Sequence, residues 1–147
     1  MFDSIHVQIG MALATLVVGF MFIKGDEPEK FAGGLYLLIS LAGVLISDNY
    51  HKDGPLWGRM ALDGLQLLVF LGIVLHSRRG WLIWASAFQA LIVTGHVLIA
   101  TNLRPPLGAF AAMNNVANYA VLIAMAVGTF WAWQERRAAT MSAPRNL

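Results

Sequence analysis

The chain contains no cysteine. That excludes disulfides, thiolate nucleophiles and thiolate-held metals, and it leaves the redox compartment open. Charge is scarce as well: 12% of the 147 residues are Asp, Glu, Lys or Arg, against roughly 25% in soluble domains. The net charge of +2 is divided among several loops and offers nothing to a nucleic acid. A glycine-rich phosphate loop is missing, and Gly33-Gly34 sits inside an apolar run where it reads as packing. No two histidines stand at the close helical spacing of a zinc motif. Ser47 and His51, four residues apart, are the best nucleophile–base pair on offer, and no oxyanion-stabilising arrangement accompanies them.

What the chain has instead is 58% hydrophobic residues, gathered into blocks. Charge is absent from residues 6–23, 31–47, 64–75, 81–101 and 105–134. A helix needs about 20 mostly apolar residues to cross a bilayer, and each block with its flanks reaches or approaches that length. The pattern predicts an all-α membrane protein, a five-helix antiparallel transmembrane bundle with spans at 4–23, 29–47, 55–76, 81–102 and 106–137. The bundle forms one domain, 1–137, followed by a small polar tail, 138–147, expected to be flexible. The first block is read as a retained span rather than a signal peptide, because Asp3 is the only charge before Lys24 and no small-residue cleavage site follows.

The breaks between spans carry helix punctuation. Ser4, Asp26 or Glu27, and Asp53 are N-cap candidates, Pro28 suits a first turn, and Pro105-Pro106 ends one helix and starts the next. "SRRG" makes a tight hairpin between the third and fourth spans.

Lys and Arg set orientation. Lys24, Lys30, Arg78, Arg79, Arg136, Arg137 and Arg145 fall on one side, and Lys52, Arg59 and Arg104 on the other. Seven against three predicts the N-terminus outside and the C-terminus in the cytoplasm. Trp81, Trp84, Trp131 and Trp133 would form the inner aromatic belt, with Trp57 and Tyr50 at the outer one. Ala120, Ala124, Gly128 and Ala132 lie four apart on the fifth span, a small-residue stripe for close packing against a neighbouring helix or a second subunit. Ser86, Ala90 and Thr94 repeat the spacing on the fourth.

Polar residues interrupt the last three spans at one depth. Asp63 lies eight residues past Pro55 and Asn114 eight past Pro106, ~12 Å along their helices at ~1.5 Å per residue. Asn115 and Asn118 accompany Asn114, Gln66 follows Asp63 on the same face, and His96 lies ~9 Å from the outer end of its span. A carboxylate in hydrocarbon costs at least ~2.5–3.5 kcal/mol, so Asp63 should face the interior with partners among His96, Asn114, Asn118 and Arg59. Thr15, Ser40, Gln89 and Thr129 look scattered in the other leaflet.

Two uses of this layer compete. Amides and imidazoles commonly bond membrane helices together. The same groups could line an outward-opening pocket for a ligand, built from Asp63, Gln66, His96, Asn114, Asn115 and Asn118, with Arg104 gripping a carboxylate or phosphate. Arg104 as a snorkelling anchor at the interface is the plainer alternative. His6, His51, His96 and Asp63 are the candidates for a metal, all on the outer half. No cofactor is favoured.

The stretch "RRGWLIWASAFQALIVTGH", residues 78–96, joins a basic hairpin, two tryptophans, a glutamine and a histidine seven residues further on. It resembles a segment of small, uncharacterised multi-span proteins of bacterial inner membranes. The resemblance implies that membrane and carries no activity with it. The expected function is a non-enzymatic accessory subunit or scaffold of a membrane complex. The alternatives are a binder or carrier of a quinone or lipid, and a metal-dependent membrane enzyme.

Overall fold

The computed structural model describes residues 5–47, 57–101, 103 and 107–142. Among them are five helices: α1 Ile5–Lys24, α2 Glu27–Ser47, α3 Trp57–Ser77, α4 Gly80–Ala100 and α5 Leu107–Ser142. Four segments, Glu27–Ile46, Trp57–Ser77, Gly80–Ala100 and Gly108–Ser142, are long and apolar enough to cross a membrane. α1 adds a shorter apolar stretch, Gln8–Lys24.

Short links make sequence neighbours pack side by side. α1 joins α2 through Gly25 and Asp26 alone. A side chain at Gly25 would stand 2.4 Å from the Met21 carbonyl oxygen and 2.6 Å from Glu29 Cβ, so the turn requires glycine. Asp26 precedes α2, and its backbone N–H donates to Glu29 Oε2 at 3.0 Å. This is the return half of a capping box, a carboxylate three residues into the helix satisfying the N–H at its start. Between α3 and α4, Arg78 takes a left-handed φ of 52°. Its N–H closes the last turn of α3 on the Val74 carbonyl at 3.1 Å.

Each helix packs on its neighbours in sequence, α5 closes the ring against α1, and α2 makes a smaller contact with α5 across it. Met21, Phe70, Leu82, Val121 and Met125 are fully buried at the centre. Leucines and isoleucines face outward: Ile23 is 76% exposed and Leu75 83%, an apolar exterior suited to lipid rather than water.

Two expectations need correction. Residues 138–142, predicted as loose tail, continue α5. Ala138, Ala139 and Met141 are strong helix formers, and no glycine or proline intervenes before Pro144. Trp81 does not join an outward belt. Trp84 and Trp131 are exposed on the outside, but Trp81 turns inward, where its indole N–H donates to Glu29 Oε1 at 3.0 Å. Gly128 makes the room: the Trp81 ring occupies the space a Cβ there would fill. Gly128 of the small-residue stripe thus packs against α4, Ala132 is buried, and Ala120 and Ala124 line a groove between the two helices.

Candidate functional site

α3 and α4 bring Asp63 and His96 together. His96 Nε2 lies 3.0 Å from Asp63 Oδ2. A carboxylate accepts only, so with Asp63 ionised this nitrogen carries the proton. Gln89, two turns back along α4, donates through Nε2 to Asp63 Oδ1 at 3.1 Å and to the Asp63 carbonyl oxygen at 3.2 Å. Gln66 Nε2 donates to Gln89 Oε1 at 3.0 Å. The backbone carbonyl can only accept, which fixes which way the Gln89 amide points. The result is a directed chain, Gln66 to Gln89 to Asp63, met from the other side by His96. His96 is buried and stacks edge-on against Phe110 at 5.8 Å.

Gln89 was misplaced by depth reckoning. Counting rise per residue assigns it to the opposite leaflet, yet its long side chain spans the interval and reaches Asp63. The seven-residue spacing to His96, which puts both on one face of α4, was the signal available in the sequence.

Asp63 borders a cavity of about 470 Å³ inside the ring. Every helix contributes: Gly10 and Met11 from α1, Tyr36 and Ser40 from α2, Arg59 and Gln66 from α3, His96 from α4, and Asn114, Asn115, Asn118 and Tyr119 from α5. The polar residues predicted on α3, α4 and α5 therefore share one space. They do not all bond one another. Asn118 Nδ2 donates to the Asn114 carbonyl of its own helix at 2.9 Å. Asn114 Oδ1 is buried with no hydrogen-bond partner, a state that costs roughly 1–3 kcal/mol. No carboxylate among the described residues lies within ion-pair reach of Arg59. Tyr36 and Ser40, one turn apart on α2, also line the cavity, and sequence reasoning left both out of the site.

Arg104, His51 and the His6 side chain lie outside the described residues. Within those described, no three His, Asp or Glu side chains converge as a metal would require. Asp63 and His96 make two.

A second polar cluster sits at the other end of the bundle. Glu29 is fully buried. It receives the Trp81 indole and the Asp26 backbone N–H, with Arg79 Nε 3.7 Å away. Arg79 also pairs with Asp26 at 2.7 Å and with Glu135 at 3.5 Å. Arg136 bonds both Asp26 and the Lys24 carbonyl, tying α5 to the α1–α2 link. Sequence reasoning used Asp26 as a cap and Arg79 as an orientation marker. The spacing Asp26-x-x-Glu29 was the legible clue that Glu29 turns back toward the link.

No family model, curated protein or solved structure matches this chain. The site is therefore read from its own geometry.

Proposed function

We propose that the chain is a five-span protein of the bacterial inner membrane that binds or carries a small amphipathic ligand, of quinone or lipid type, in the cavity beside Asp63. The observation that carries this reading is the cavity itself. Its volume of about 470 Å³ falls within the ~300–1,000 Å³ usual for small-molecule sites. Apolar walls from Met11, Ile39, Leu62 and Leu122 surround a few convergent polar groups, the composition that orients an amphipathic guest. Interhelical glue alone would call for no such space. The lysine and arginine distribution supports an N-terminus outside and a carboxyl end in the cytoplasm, which places the cavity in the outer half of the membrane.

A second reading, a non-enzymatic accessory subunit or scaffold, draws on a different observation. Both carboxylate oxygens of Asp63 already bond α4, as structural polar contacts between membrane helices do. Native mass spectrometry of the intact protein from mild detergent separates the two. A small molecule retained by the wild type and lost from folded Asp63→Asn and His96→Ala variants supports the binder. Protein that carries no small molecule but co-purifies with other membrane subunits favours the scaffold, and then Asp63→Asn should fail by unfolding.

A further inference from the structure

A groove of about 980 Å³ lies between α2 and α3, apart from the Asp63 cavity. Phe31, Val69, Gly72 and Ile73 form its apolar part. A Cβ at Gly72 would meet nothing within 4 Å, so that wall is open. The other end is polar and lies where α2 begins and α3 stops. Glu27 and Lys30 come from the first turn of α2 and His76 from the last turn of α3. All three are exposed. Both helices are long and apolar enough to cross a membrane, so the polar end stands at headgroup level and the apolar part among acyl chains.

Arg79 and Ser77 also border the polar end, and both are engaged. The Arg79 guanidinium pairs with Asp26 at 2.7 Å, and the Ser77 hydroxyl donates to the Ile73 carbonyl at 2.7 Å. Glu27, Lys30 and His76 differ: among the described residues, no side-chain hydrogen bond or ion pair engages them. Glu27 and Lys30 are neighbours three apart on one helix face, yet they do not pair with each other. A carboxylate, an ammonium and an imidazole are thus presented together, uncommitted, at the head of an apolar groove.

From these free charges we infer that the groove holds a phospholipid whose head carries both a phosphate and a primary ammonium, as phosphatidylethanolamine does. The Lys30 ammonium and a His76 ring N–H donate to the phosphate; even a neutral imidazole keeps one N–H. Glu27 accepts from the lipid's ammonium. One acyl chain lies over Gly72, between Phe31 and Ile73. A purely anionic head meets Glu27 with charge of its own sign. A choline head brings the positive charge but has no N–H to give a carboxylate. The site is separate from the Asp63 cavity and stands or falls without it.

Native mass spectrometry of the full chain in mild detergent tests this, with an equimolar mixture of dioleoyl phosphatidylethanolamine, phosphatidylcholine and phosphatidylglycerol. The wild type should retain the ethanolamine lipid about fivefold better than either of the others, the worth of one hydrogen bond. Glu27→Gln should lose most of that preference. Lys30→Gln should lower retention of all three, which share the phosphate. Gly72→Leu leaves the charges in place and fills the groove, and it should do the same. Arg137→Gln removes a charge at the same end of the bundle but outside the groove, and it should change nothing. Equal retention of the three lipids by the wild type, or a preference for the glycerol lipid, overturns the inference. So does a Glu27→Gln protein that keeps the full preference. A loss in Arg137→Gln as large as in Lys30→Gln reveals a diffuse positive field in place of a site. The comparison among lipids needs only the wild-type protein, so a variant that fails to fold does not decide it.

Discussion

Replacing Gly128 with alanine puts a carbon where Trp81 already stands. An ideal Cβ at that position would lie 2.1 Å from Trp81 Cγ, 2.3 Å from Cδ1 and 2.5 Å from Cδ2. Carbon atoms prefer ~3.5–4.0 Å, so the ring or the helix must move by more than an ångström. The ring is not free to do so, because its Nε1 is held at 3.0 Å by fully buried Glu29. Overpacking of this kind costs ~1–3 kcal/mol. Pulling the indole away leaves Glu29 short of a donor, a further ~1–3 kcal/mol. Alanine returns ~0.5–1 kcal/mol of helix preference over glycine. The net expectation is a loss of roughly 1–5 kcal/mol. Reversible unfolding in mixed micelles, followed by far-ultraviolet circular dichroism, measures it. Gly64→Ala and Gly72→Ala are the controls, since a Cβ at either meets nothing within 4 Å, and both should gain ~0.5–1 kcal/mol of helix preference. A double-mutant cycle sharpens the attribution: in a Trp81→Leu background the Gly128→Ala penalty should largely vanish, because the obstructing ring is gone. Gly128→Ala as stable as its controls, or an undiminished penalty in the Trp81→Leu background, would refute the reasoning.

Gln89→Leu should destabilise the bundle by about 1–3 kcal/mol, since it strands the Gln66 amide and takes a donor from Asp63 Oδ1. Thr94→Ala, whose exposed hydroxyl bonds only the Ala90 carbonyl of its own turn, should change unfolding little, and equal costs would count against the buried chain. The absence of native cysteine makes topology directly measurable. A membrane-impermeant maleimide added to intact spheroplasts should label Leu103→Cys and spare Thr140→Cys until the membrane is opened. The reverse pattern would invert the proposed orientation, and labelling of both would refute an odd number of crossings between them.

The helices were legible because hydrocarbon-length apolar blocks and their Pro, Gly and Asp punctuation survive averaging over many residues. Asp63 and His96 were legible as companions because both are costly in an apolar helix and fall at one depth. Gln89 was not, because a count of backbone rise ignores the reach of a side chain that can extend toward either end of its helix. The Glu29 cluster was hidden for another reason. Glu29 and Arg79 lie near helix ends, where charges are ordinarily solvated, and the inward turn of Trp81 gives Glu29 its buried indole donor. That turn depends on Gly128, whose partner lies on another helix and is named by no local pattern. Sequence reasoning gave Trp81 to the belt because tryptophan is commonest there, and a preference of residue type cannot report which indole has a buried acceptor within reach.

The two polar systems differ in a way that bears on function. At the α1–α2 link, opposite charges meet: Glu29 and Asp26 are matched by Arg79 and Arg136, and Glu29's two oxygens take the Trp81 indole and the Asp26 N–H. Among the described residues that cluster leaves no buried side-chain atom unpaired, and Trp81 fills the space over Gly128 while Arg79 borders grooves at the bundle's surface. This is what a polar cluster built to fasten helices should look like, because an unpaired group there would subtract from the stability it supplies. The Asp63 system departs in its bonding. It adjoins a cavity, and one of that cavity's lining amides keeps a buried acceptor unpaired. The same chain can evidently complete a polar network where the network's role is to fasten helices. Leaving the other incomplete beside open space, at a cost of ~1–3 kcal/mol, is reasonable if the arrival of a guest lets that amide turn to a partner. Were Asn114→Leu to raise stability by that amount with ligand retention unchanged, the incompleteness would be a defect of packing, and the contrast would lose its meaning.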